Sequence, residues 1–293
     1  MGAVVALRPE PGIAPGPAVA AYLDHLQIAG LSPLTITQYK STLDRMSAAF
    51  SLYGDVADIT PEALTAWMQE AFRSVKPATW NRARVVLCSA WTFWALEGWA
   101  EAGVPRSLPK RRVPRGRDRA MDRADIAALL ASEDIPLRER ALWSCLYETG
   151  ARAAEIIRLN AEDLDVANHC TRVLRKRSHD DLAVWQDGTA ALLARLLGGR
   201  DRGPVFTTGH GRLSYRQAAD IFKAATAGVR GAPYTLHSLR HSGATHDSED
   251  GMPVPMLCKK YGWEHVRSAE RYARPSDEAL IRWQAEHDPA RRR

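Results

Sequence analysis

Three residue types that could cleave a phosphodiester lie close together near the C-terminal end of the chain. His237 and Arg240 are three residues apart, so on a helix they would share one face. Tyr272 follows Trp263 by nine residues, about two and a half helical turns, so a helix or helix pair could return the phenol toward that face. An imidazole, a guanidinium and a phenol brought together suit the attack of a phenolate on a phosphodiester.

Such chemistry requires further cations and a way to hold a nucleic acid, and the composition is compatible with both. The 293-residue chain has a net charge of +6, and 33 of its 40 basic residues are Arg. The planar guanidinium grips phosphate oxygens bidentately. A genome rich in G and C would also favour Arg codons, so composition alone leaves the nucleic-acid partner open.

The length favours two domains, and the 45% of hydrophobic residues is ordinary for a globular protein. No apolar run approaches 18 residues, and the run at the N-terminus is too short for a signal peptide. Cys88, Cys145, Cys170 and Cys258 show no C-x-x-C spacing. The sequence therefore predicts a reduced, cytoplasmic protein that does not contact a membrane.

The first third of the chain predicts a tail and a bundle of helices. Residues 1–16 are rich in Pro and Gly and are predicted to be disordered. Apolar residues then recur with helical period, and Ser-Pro and Thr-Pro pairs mark helix starts. Residues 78–97 are rich in Trp, which we interpret as core rather than as a base-stacking platform. Residues 17–103 are thus predicted to form a four-helix domain.

Residues 104–120 predict a basic linker that could contact DNA. Three prolines argue against a helix, and seven basic residues stand against one acid. The alternative is a solvated connector without a binding role. The candidate DNA-binding residues are Lys110, Arg111, Arg112 and Arg115 in this linker and Arg82 and Arg84 in the preceding helix.

Residues 121–293 predict a second domain that is mainly helical with a small antiparallel sheet. Segments 170–175 and 182–186 alternate like the strands of a hairpin around a polar, basic turn. Val205-Phe206 is a further candidate strand. The overall fold class is therefore mainly α, of α+β type.

Five motifs occur here in the order typical of the tyrosine recombinase (integrase) family, and the chain most resembles its Xer-type members. The motifs are L-Y-E-T-G-A-R-A-A-E-I (146–156), Lys176 in the hairpin, H-S-L-R-H-S-G-A-T-H (237–246), Y-G-W (261–263) and Tyr272. The family's usual strings resemble T-G-L-R-x-S-E-L, H-x-L-R-H-x-x-A-T and L-G-H, with a Tyr nine residues after the last His.

The resemblance covers residues 17–290 and implies the integrase (DNA breaking–rejoining) fold. That fold combines an N-terminal core-binding domain of SAM-like helices with a C-terminal catalytic domain. The implied activity is site-specific recombination of DNA through a 3′-phosphotyrosyl intermediate, with no metal or nucleotide cofactor.

The resemblance implies a phosphate clamp made of Arg152 and Arg240. Phosphodiester transfer builds negative charge on the non-bridging oxygens, so cations must be in place beforehand. Each guanidinium can hold two oxygens. Glu155, three residues after Arg152, is interpreted as a carboxylate that orients the clamp.

The resemblance also implies how protons move. Tyr272 is the nucleophile, and because a phenol has a pKa near 10, His237 is expected to take its proton. Lys176 would protonate the leaving 5′-oxygen. Arg175 and Arg177 compete with Lys176 for that role, since the register of a hairpin turn cannot be fixed from sequence.

Two positions depart from the family pattern. Trp263 replaces the usual His, so it can donate a hydrogen bond to the phosphate but cannot act as a base. Ala154 replaces the usual Ser, and no catalytic loss follows. Tyr261 is a rival nucleophile, but its apolar neighbours indicate a core residue. His237 and His241 have a metal-compatible spacing with Cys258 not far off, yet no further ligands complete a zinc set.

The implied partner is double-stranded DNA, bound by a homo-tetramer or by a hetero-tetramer with a related recombinase. The segment Asp277–His287 predicts a C-terminal helix with an apolar surface. The resemblance implies that this helix docks on a neighbouring protomer, unless it folds back on its own domain. Two alternatives stay open: a nicking–closing enzyme like the type IB topoisomerases, and a non-catalytic DNA-binding protein on the same scaffold.

Overall fold

The computed structural model describes residues 12–114, 120–175, 180–270, 272, 277–286 and 288. The chain divides into two compact units, residues 1–115 and 116–293, and the division falls inside the segment predicted to be a linker. In the part of the chain that the structure describes, no helix has the length and apolar character needed to cross a membrane.

Four helices build the N-terminal unit, as the sequence predicts. They are α1 (Pro15–Ile28), α2 (Pro33–Ala49), α3 (Pro61–Ala71) and α4 (Pro77–Leu96). Each begins with a proline, which suits the first turn because N–H groups there have no partner within the helix. The prediction of a disordered tail is therefore wrong for residues 15–16, where Pro15 starts α1.

The aromatic residues of α4 lie in the core of the N-terminal unit. Trp80, Trp91 and Trp94 are buried, and Trp94 Nε1 donates to the carbonyl oxygen of Ala18 in α1 at 2.9 Å. Their interpretation as core rather than as a base-stacking surface is confirmed. An indole buried with its N–H bonded adds both apolar area and orientation to the bundle.

Residues 104–111 pack onto the N-terminal unit instead of forming an extended connector. Val104–Ser107 form a 3₁₀ turn, and the side chain of Leu108 is buried. Asn81 in α4 accepts from the N–H of Arg111 at 2.9 Å and donates to its carbonyl oxygen at 2.8 Å. The linker prediction is wrong for residues 104–111 because their apolar side chains are buried and because proline is tolerated in the first turn of a helix.

Nine helices are described in the C-terminal unit, and α6 lies at their centre. They are α5 (Arg123–Ala131), α6 (Leu137–Thr149), α7 (Ala153–Ile157), α8 (Asp187–Leu197), α9 (Tyr215–Ala225), α10 (Leu236–Glu249), α11 (Val254–Tyr261), α12 (Val266–Ala269) and α13 (Asp277–Glu286). Helix α6 packs against α5, α8 and α10. The predicted C-terminal helix is present as α13, on which Leu280 and Ile281 are exposed.

Two small antiparallel sheets complete the C-terminal unit. They are formed by β1 (Leu164–Asp165), β2 (Cys170–Leu174) and β3 (Asp180–Val184), and by β4 (Thr207–Thr208) and β5 (Gly211–Arg212). Strands β2 and β3 pair from Cys170↔Val184 to Leu174↔Asp180, which confirms the predicted hairpin. The prediction of a strand at Val205-Phe206 is wrong. These residues are buried just before β4, and the backbone bonds of Val205 to Leu159 and of Phe206 to Leu213 lie outside any ladder.

Two glycines let the helices around Tyr261 approach closely. A Cβ at Gly243 in α10 would lie 2.4 Å from the carbonyl oxygen of Tyr147 in α6 and 2.8 Å from the hydroxyl of Tyr261. Gly150 ends α6 with a φ of 61°, and a Cβ there would lie 2.4 Å from the ring of Tyr261. Because glycine allows both the contacts and the left-handed turn, α6, α10 and α11 meet where the predicted site residues begin.

Candidate active site

Arg152 and Glu155 open the site at the start of α7. The turn at Gly150 leads directly to Arg152, whose backbone N–H donates to Glu155 Oε2 at 2.8 Å. Its guanidinium Nη1 donates to Glu155 Oε1, also at 2.8 Å. The side chain of Arg152 remains 42% exposed, so its other N–H groups are available to a ligand. The contact predicted between the carboxylate and the guanidinium is present.

Arg240 lies in the second turn of α10, and its side chain is buried. Its guanidinium donates to the carbonyl oxygens of Gly150 and Tyr261. Burial, followed by the positive charges of Arg152 and Arg175, lowers the pKa of Arg240 to about 10. The group therefore stays charged at neutral pH, and two backbone carbonyls fix its orientation.

Tyr272 belongs to a group of aromatic rings. The indole of Trp263 stacks on the ring of Tyr272 with centroids 4.9 Å apart and planes 8° apart, and it also stacks on Tyr261 at 5.0 Å. The ring of His241 meets Tyr272 nearly edge-on at 5.0 Å. Trp263 thus orients the tyrosine as well as carrying an indole N–H that could donate to a phosphate.

Tyr261 has the environment of a core residue. Its ring is fully buried, and its hydroxyl donates to Asp247 Oδ2 at 2.7 Å. Burial, and then the charge of Asp247, raise the pKa of the Tyr261 phenol. A buried phenol that resists ionisation is a poor nucleophile, which agrees with the interpretation of Tyr261 as core.

Two pockets that share lining residues bring four of the predicted catalytic groups into one region. One has a volume of about 770 Å³ and is lined by His237, Trp263, His265, Arg267, Ser268 and Tyr272. The other has a volume of about 570 Å³, and Arg152 and Arg175 line it together with Trp263, His265 and Ser268. The Tyr272 phenol and the His237 imidazole thus line one pocket, Arg152 lines the other, and Trp263 lines both, whereas Arg240 lines neither of the two.

The hairpin turn brings a further arginine to the site. Lys176 and Arg177 lie outside the described residues, so the position of the predicted leaving-group acid is not described. Arg175 is buried, and its Nη2 donates to the carbonyl oxygen of Lys260 at 2.9 Å. Its Nη1 lies 3.2 Å from Asp181 Oδ2. Of the three candidates for the acid, Arg175 is the one whose position is described, and it is buried, bonded to Lys260 and ion-paired with Asp181.

The predicted DNA-binding residues of the N-terminal unit divide into exposed and anchored cations. Arg82, Lys110 and Arg112 are exposed, whereas Arg115 lies outside the described residues. Arg84 Nε donates to the carbonyl oxygen of Leu108 at 2.7 Å, and the Arg111 guanidinium lies 3.7 Å from the centre of the Trp80 ring. Arg84 and Arg111 thus hold residues 104–111 in place.

The candidate metal ligands named from the sequence do not form a cluster. Within the described ranges, no group of three His, Cys, Asp or Glu side chains is arranged to hold a metal ion. Cys258 lines the 570 Å³ pocket, whereas His237 lines the 770 Å³ pocket.

Sequence reasoning missed several pocket residues. His265, Arg267 and Ser268 line the pocket of Tyr272, and Asp181 and Lys259 line that of Arg152. The only available signal for the first three was their position between Trp263 and Tyr272 in the chain. Nothing local marked Asp181 or Lys259, which reach the site from β3 and α11.

The comparisons with known sequences agree with the motif order. Residues 119–279 match the phage integrase family. The chain is 27% identical over 278 residues to the tyrosine recombinase XerC of Corynebacterium efficiens, across 90% of this chain and 88% of that protein.

Solved structures with this fold include recombinases bound to DNA. The Tn1549 transposon integrase in complex with a circular intermediate DNA superposes with a TM-score of 0.74 at 12% identity, over 94% of this chain and 100% of that chain. The lambda integrase dimer bound to a COC′ core site gives a TM-score of 0.72 at 18% identity, over 89% and 79%. The predicted integrase fold, mainly helical with a small antiparallel sheet, is confirmed.

Proposed function

This chain belongs to the phage integrase family and is a tyrosine-type site-specific recombinase, and we propose that Tyr272 is its nucleophile. The observation that carries this assignment is that Tyr272 and His237 line the same pocket. Tyr261, the other tyrosine of the region, is buried and bonded to Asp247. Attack by the Tyr272 oxygen forms a 3′-phosphotyrosyl bond and releases a 5′-hydroxyl, and the reverse attack rejoins the strand.

Arg152 and Arg240 then form the phosphate clamp. Both guanidiniums are held by the protein before DNA arrives, Arg152 by Glu155 and Arg240 by two carbonyls. Positive charge that is fixed in advance stabilises the developing charge of the transition state without reorganisation. Trp263, whose ring lines both pockets, would donate its indole N–H to the same phosphate.

Two groups move the protons in this proposal. His237, exposed at the start of α10, takes the proton of the Tyr272 hydroxyl. Lys176 gives a proton to the departing 5′-oxygen, and a cationic acid is suited to this because it loses charge as the leaving group gains it. No step requires a metal or a nucleotide cofactor.

The chain binds DNA, and we propose that the N-terminal unit contributes through its exposed cations Arg82, Lys110 and Arg112. Arg115 would extend that row, although it lies outside the described residues. Each cation that replaces a counterion on a phosphate contributes affinity without sequence preference. Arg84 and Arg111 would act indirectly, since both are anchored to the protein itself.

Assembly on DNA is proposed to be a tetramer, of this chain alone or with a related recombinase. The exposed apolar residues Leu280 and Ile281 of α13 support docking on a neighbouring protomer. A helix of ten residues is marginal alone in water, so its apolar surface needs a cover. The nicking–closing enzyme and the non-catalytic DNA-binding protein are not favoured, because relatives that match along most of the chain are tyrosine recombinases.

Covalent trapping tests the nucleophile. DNA selected by the protein from a random duplex pool would be nicked near the cleavage point, so that the released fragment diffuses away and the phosphotyrosyl bond persists. We expect a protein–DNA adduct that resists denaturation. Tyr272→Phe should abolish it and leave DNA binding within about threefold. Tyr261→Phe is the matched control and should keep the adduct. An adduct that disappears only with Tyr261→Phe would overturn the assignment.

A further inference from the structure

Arg175 is buried at the base of a polar hairpin turn, where an arginine would ordinarily point into water. It directly follows β2, and only 6% of its surface is exposed. Arginine is rarely buried to this degree unless it is paired. The partners of Arg175 therefore indicate what its burial achieves.

These partners lie on separate elements of the C-terminal unit. Nη2 donates to the carbonyl oxygen of Lys260 at the end of α11, at 2.9 Å. Nη1 lies 3.2 Å from Asp181 Oδ2 on the opposite strand, β3. Nε lies 4.0 Å from Glu155 Oε2, the carboxylate that also holds Arg152. One guanidinium thus connects both strands of the hairpin to α11 and approaches the start of α7.

The close approach of α11 depends on Gly262. This residue ends α11 with a φ of 57°, and a Cβ there would lie 1.9 Å from Nη1 of Arg175. The next residue is Trp263, which stacks on Tyr272. A second tie runs in parallel, since Lys259 Nζ lies 3.2 Å from Asp181 Oδ1.

We propose that Arg175 is a positioning residue that, together with Asp181, fixes the base of the β2–β3 hairpin to the end of α11 and so places the leaving-group acid that follows it in the chain. The inference rests on the proposed roles of Tyr272 and Lys176. Arg175 itself touches neither the phosphate nor the leaving oxygen in this mechanism.

The physical reason is that an acid on a turn must be held within hydrogen-bond reach of the oxygen it protonates. A displacement of about 1 Å costs on the order of a hundredfold in rate, and general acid catalysis contributes about 10² to 10⁴. Lys176 is the residue immediately after Arg175, so the anchored base fixes the point from which its side chain extends. A mobile base would spread that side chain over positions that do not reach the oxygen.

A rival role is direct phosphate binding. Among the described residues, Nε and Nη1 of Arg175 have no acceptor at hydrogen-bonding geometry, and Arg175 lines the same pocket as Arg152. The two roles act on different events. A phosphate ligand stabilises the transition state whatever the leaving group is, whereas a residue that places the acid matters only when the leaving group needs a proton.

Leaving-group substitution separates these roles. The two DNA substrates would be identical except that the scissile 5′-bridging oxygen is replaced by sulfur in one. Attack by Tyr272 forms the P–O bond and breaks P–O or P–S, and the tyrosine proton goes to His237 in both. An alkoxide needs a proton to depart, but a thiolate departs without one because a thiol is far more acidic.

We expect Arg175→Gln to slow single-turnover cleavage of ordinary DNA by about a hundredfold. Cleavage of the sulfur substrate should slow by less than about threefold. The affinity for DNA should stay near that of the wild type. Asp181→Asn should show the same slow cleavage of ordinary DNA and the same near-normal cleavage of the sulfur substrate. The double variant should be no slower than the slower single variant, because Arg175 and Asp181 act through one shared contact. Arg172→Gln, an exposed arginine on the same strand, should match wild type on both substrates.

Each remaining outcome decides the question. Equal slowing of Arg175→Gln on both substrates, or wild-type rates on both, overturns the proposal. If Arg175→Gln does not fold, as thermal unfolding would reveal, Asp181→Asn carries the same test from the other side of the contact. Lys176→Ala must itself be rescued by sulfur. If it is not, the acid assignment of the proposed function fails, and the inference about Arg175 fails with it. If Lys176→Ala is rescued and the hairpin-base variants are not, only the inference fails.

Discussion

The two sides of the candidate active site are held in different ways. On the clamp side, Arg240 is buried in α10 and donates to two backbone carbonyls, and Arg152 is bonded to Glu155. On the nucleophile side, Tyr272 follows α12, a helix of only four residues. Its N–H donates to the carbonyl oxygen of Ala269 at 2.8 Å, and its ring contacts those of Trp263 and His241.

The difference follows from what each side must do. Charge on a phosphate develops in the transition state, so cations are most effective when the fold has already fixed them. A nucleophile has only to reach its attack position once DNA is bound. Arg240 is therefore set among buried residues, whereas Tyr272 follows a four-residue helix, and we predict that DNA or a neighbouring protomer adjusts its position.

The largest expected effect comes from breaking the clamp. Arg240→Ala should lower single-turnover cleavage by about 10³ or more, because it removes a fixed cation from the phosphate. It should also lower the free energy of unfolding by about 1–3 kcal/mol, since two buried carbonyls lose their donor. Arg152→Ala should lower the cleavage rate by a similar factor. It should lower the free energy of unfolding by less, because the Arg152 side chain is partly exposed.

The lysine variants sharpen this prediction. Arg240→Lys and Arg152→Lys should not recover full activity, because the bidentate fork is lost. Arg216→Ala on α9 is the control, since this side chain is 93% exposed. Cleavage rates and urea unfolding would be measured for each variant. Equal losses of stability for Arg240→Ala and Arg152→Ala would contradict the difference in burial between them.

A smaller effect is expected on the nucleophile side. Trp263→Phe keeps a ring against Tyr272 but removes the indole N–H, so cleavage should fall about tenfold, the value of one hydrogen bond of roughly 1.4 kcal/mol. Trp263→Ala removes the stack as well and should lose up to about tenfold more. Single-turnover cleavage of the nicked DNA measures both. If the two variants have equal rates, the stack does not orient Tyr272.

Removing α13 tests whether a neighbouring protomer stabilises the nucleophile side. Deleting residues 276–293 should leave the affinity for a single half-site unchanged but reduce the cooperative filling of a second, by a factor of about 5–150. Gel-shift titrations on DNA with one and with two half-sites measure this. Normal cooperativity and recombination by the truncated protein would mean that the helix packs on its own unit or has no role.

The smallest effects are expected from substitutions of the anchored and the exposed cations of the N-terminal unit. Replacing Lys110 and Arg112 by Ala should weaken binding to all DNA sequences alike and lower the slope of log K against log salt by about 0.9 for each lost phosphate contact. Arg111→Ala should instead reduce stability by about 0.5–2 kcal/mol, because its guanidinium lies over Trp80. Equal changes of slope for both variants would contradict the division.

The sequence predicted those parts of the fold that depend on local signals. Proline starts the first four helices, Gly150 ends α6, and the alternation of residues 170–175 marks β2, because each signal acts within a few residues. The contact of Arg152 with Glu155 was also predictable, since the two residues are one helical turn apart in a recognisable string. Their contact is the short-range pairing expected of residues i and i+3.

The features that sequence reasoning missed depend on distant residues. Arg175 is buried only because Gly262 leaves room for it and Asp181 supplies a charge, and no periodicity connects these positions. Residues 104–111 read as a linker because their packing depends on Asn81 and Trp80, which lie in the preceding helix α4. His265 reaches the pocket through the geometry of α12, a helix too short to have a detectable pattern.

The close approach at Gly243 has a consequence for protein engineering. Gly→Ala inside a helix ordinarily stabilises by roughly 1 kcal/mol, so a propensity-based design would select this position in α10. Here the added methyl would meet the Tyr147 carbonyl oxygen at 2.4 Å, and the backbone cannot rotate away as a side chain would. Tyr261→Phe would relieve only the second clash, with the hydroxyl. A library that varies these three positions should therefore accept alanine at 243 rarely, and any variant that tolerates it must shift α6 relative to α10, and with α10 the arginine at 240.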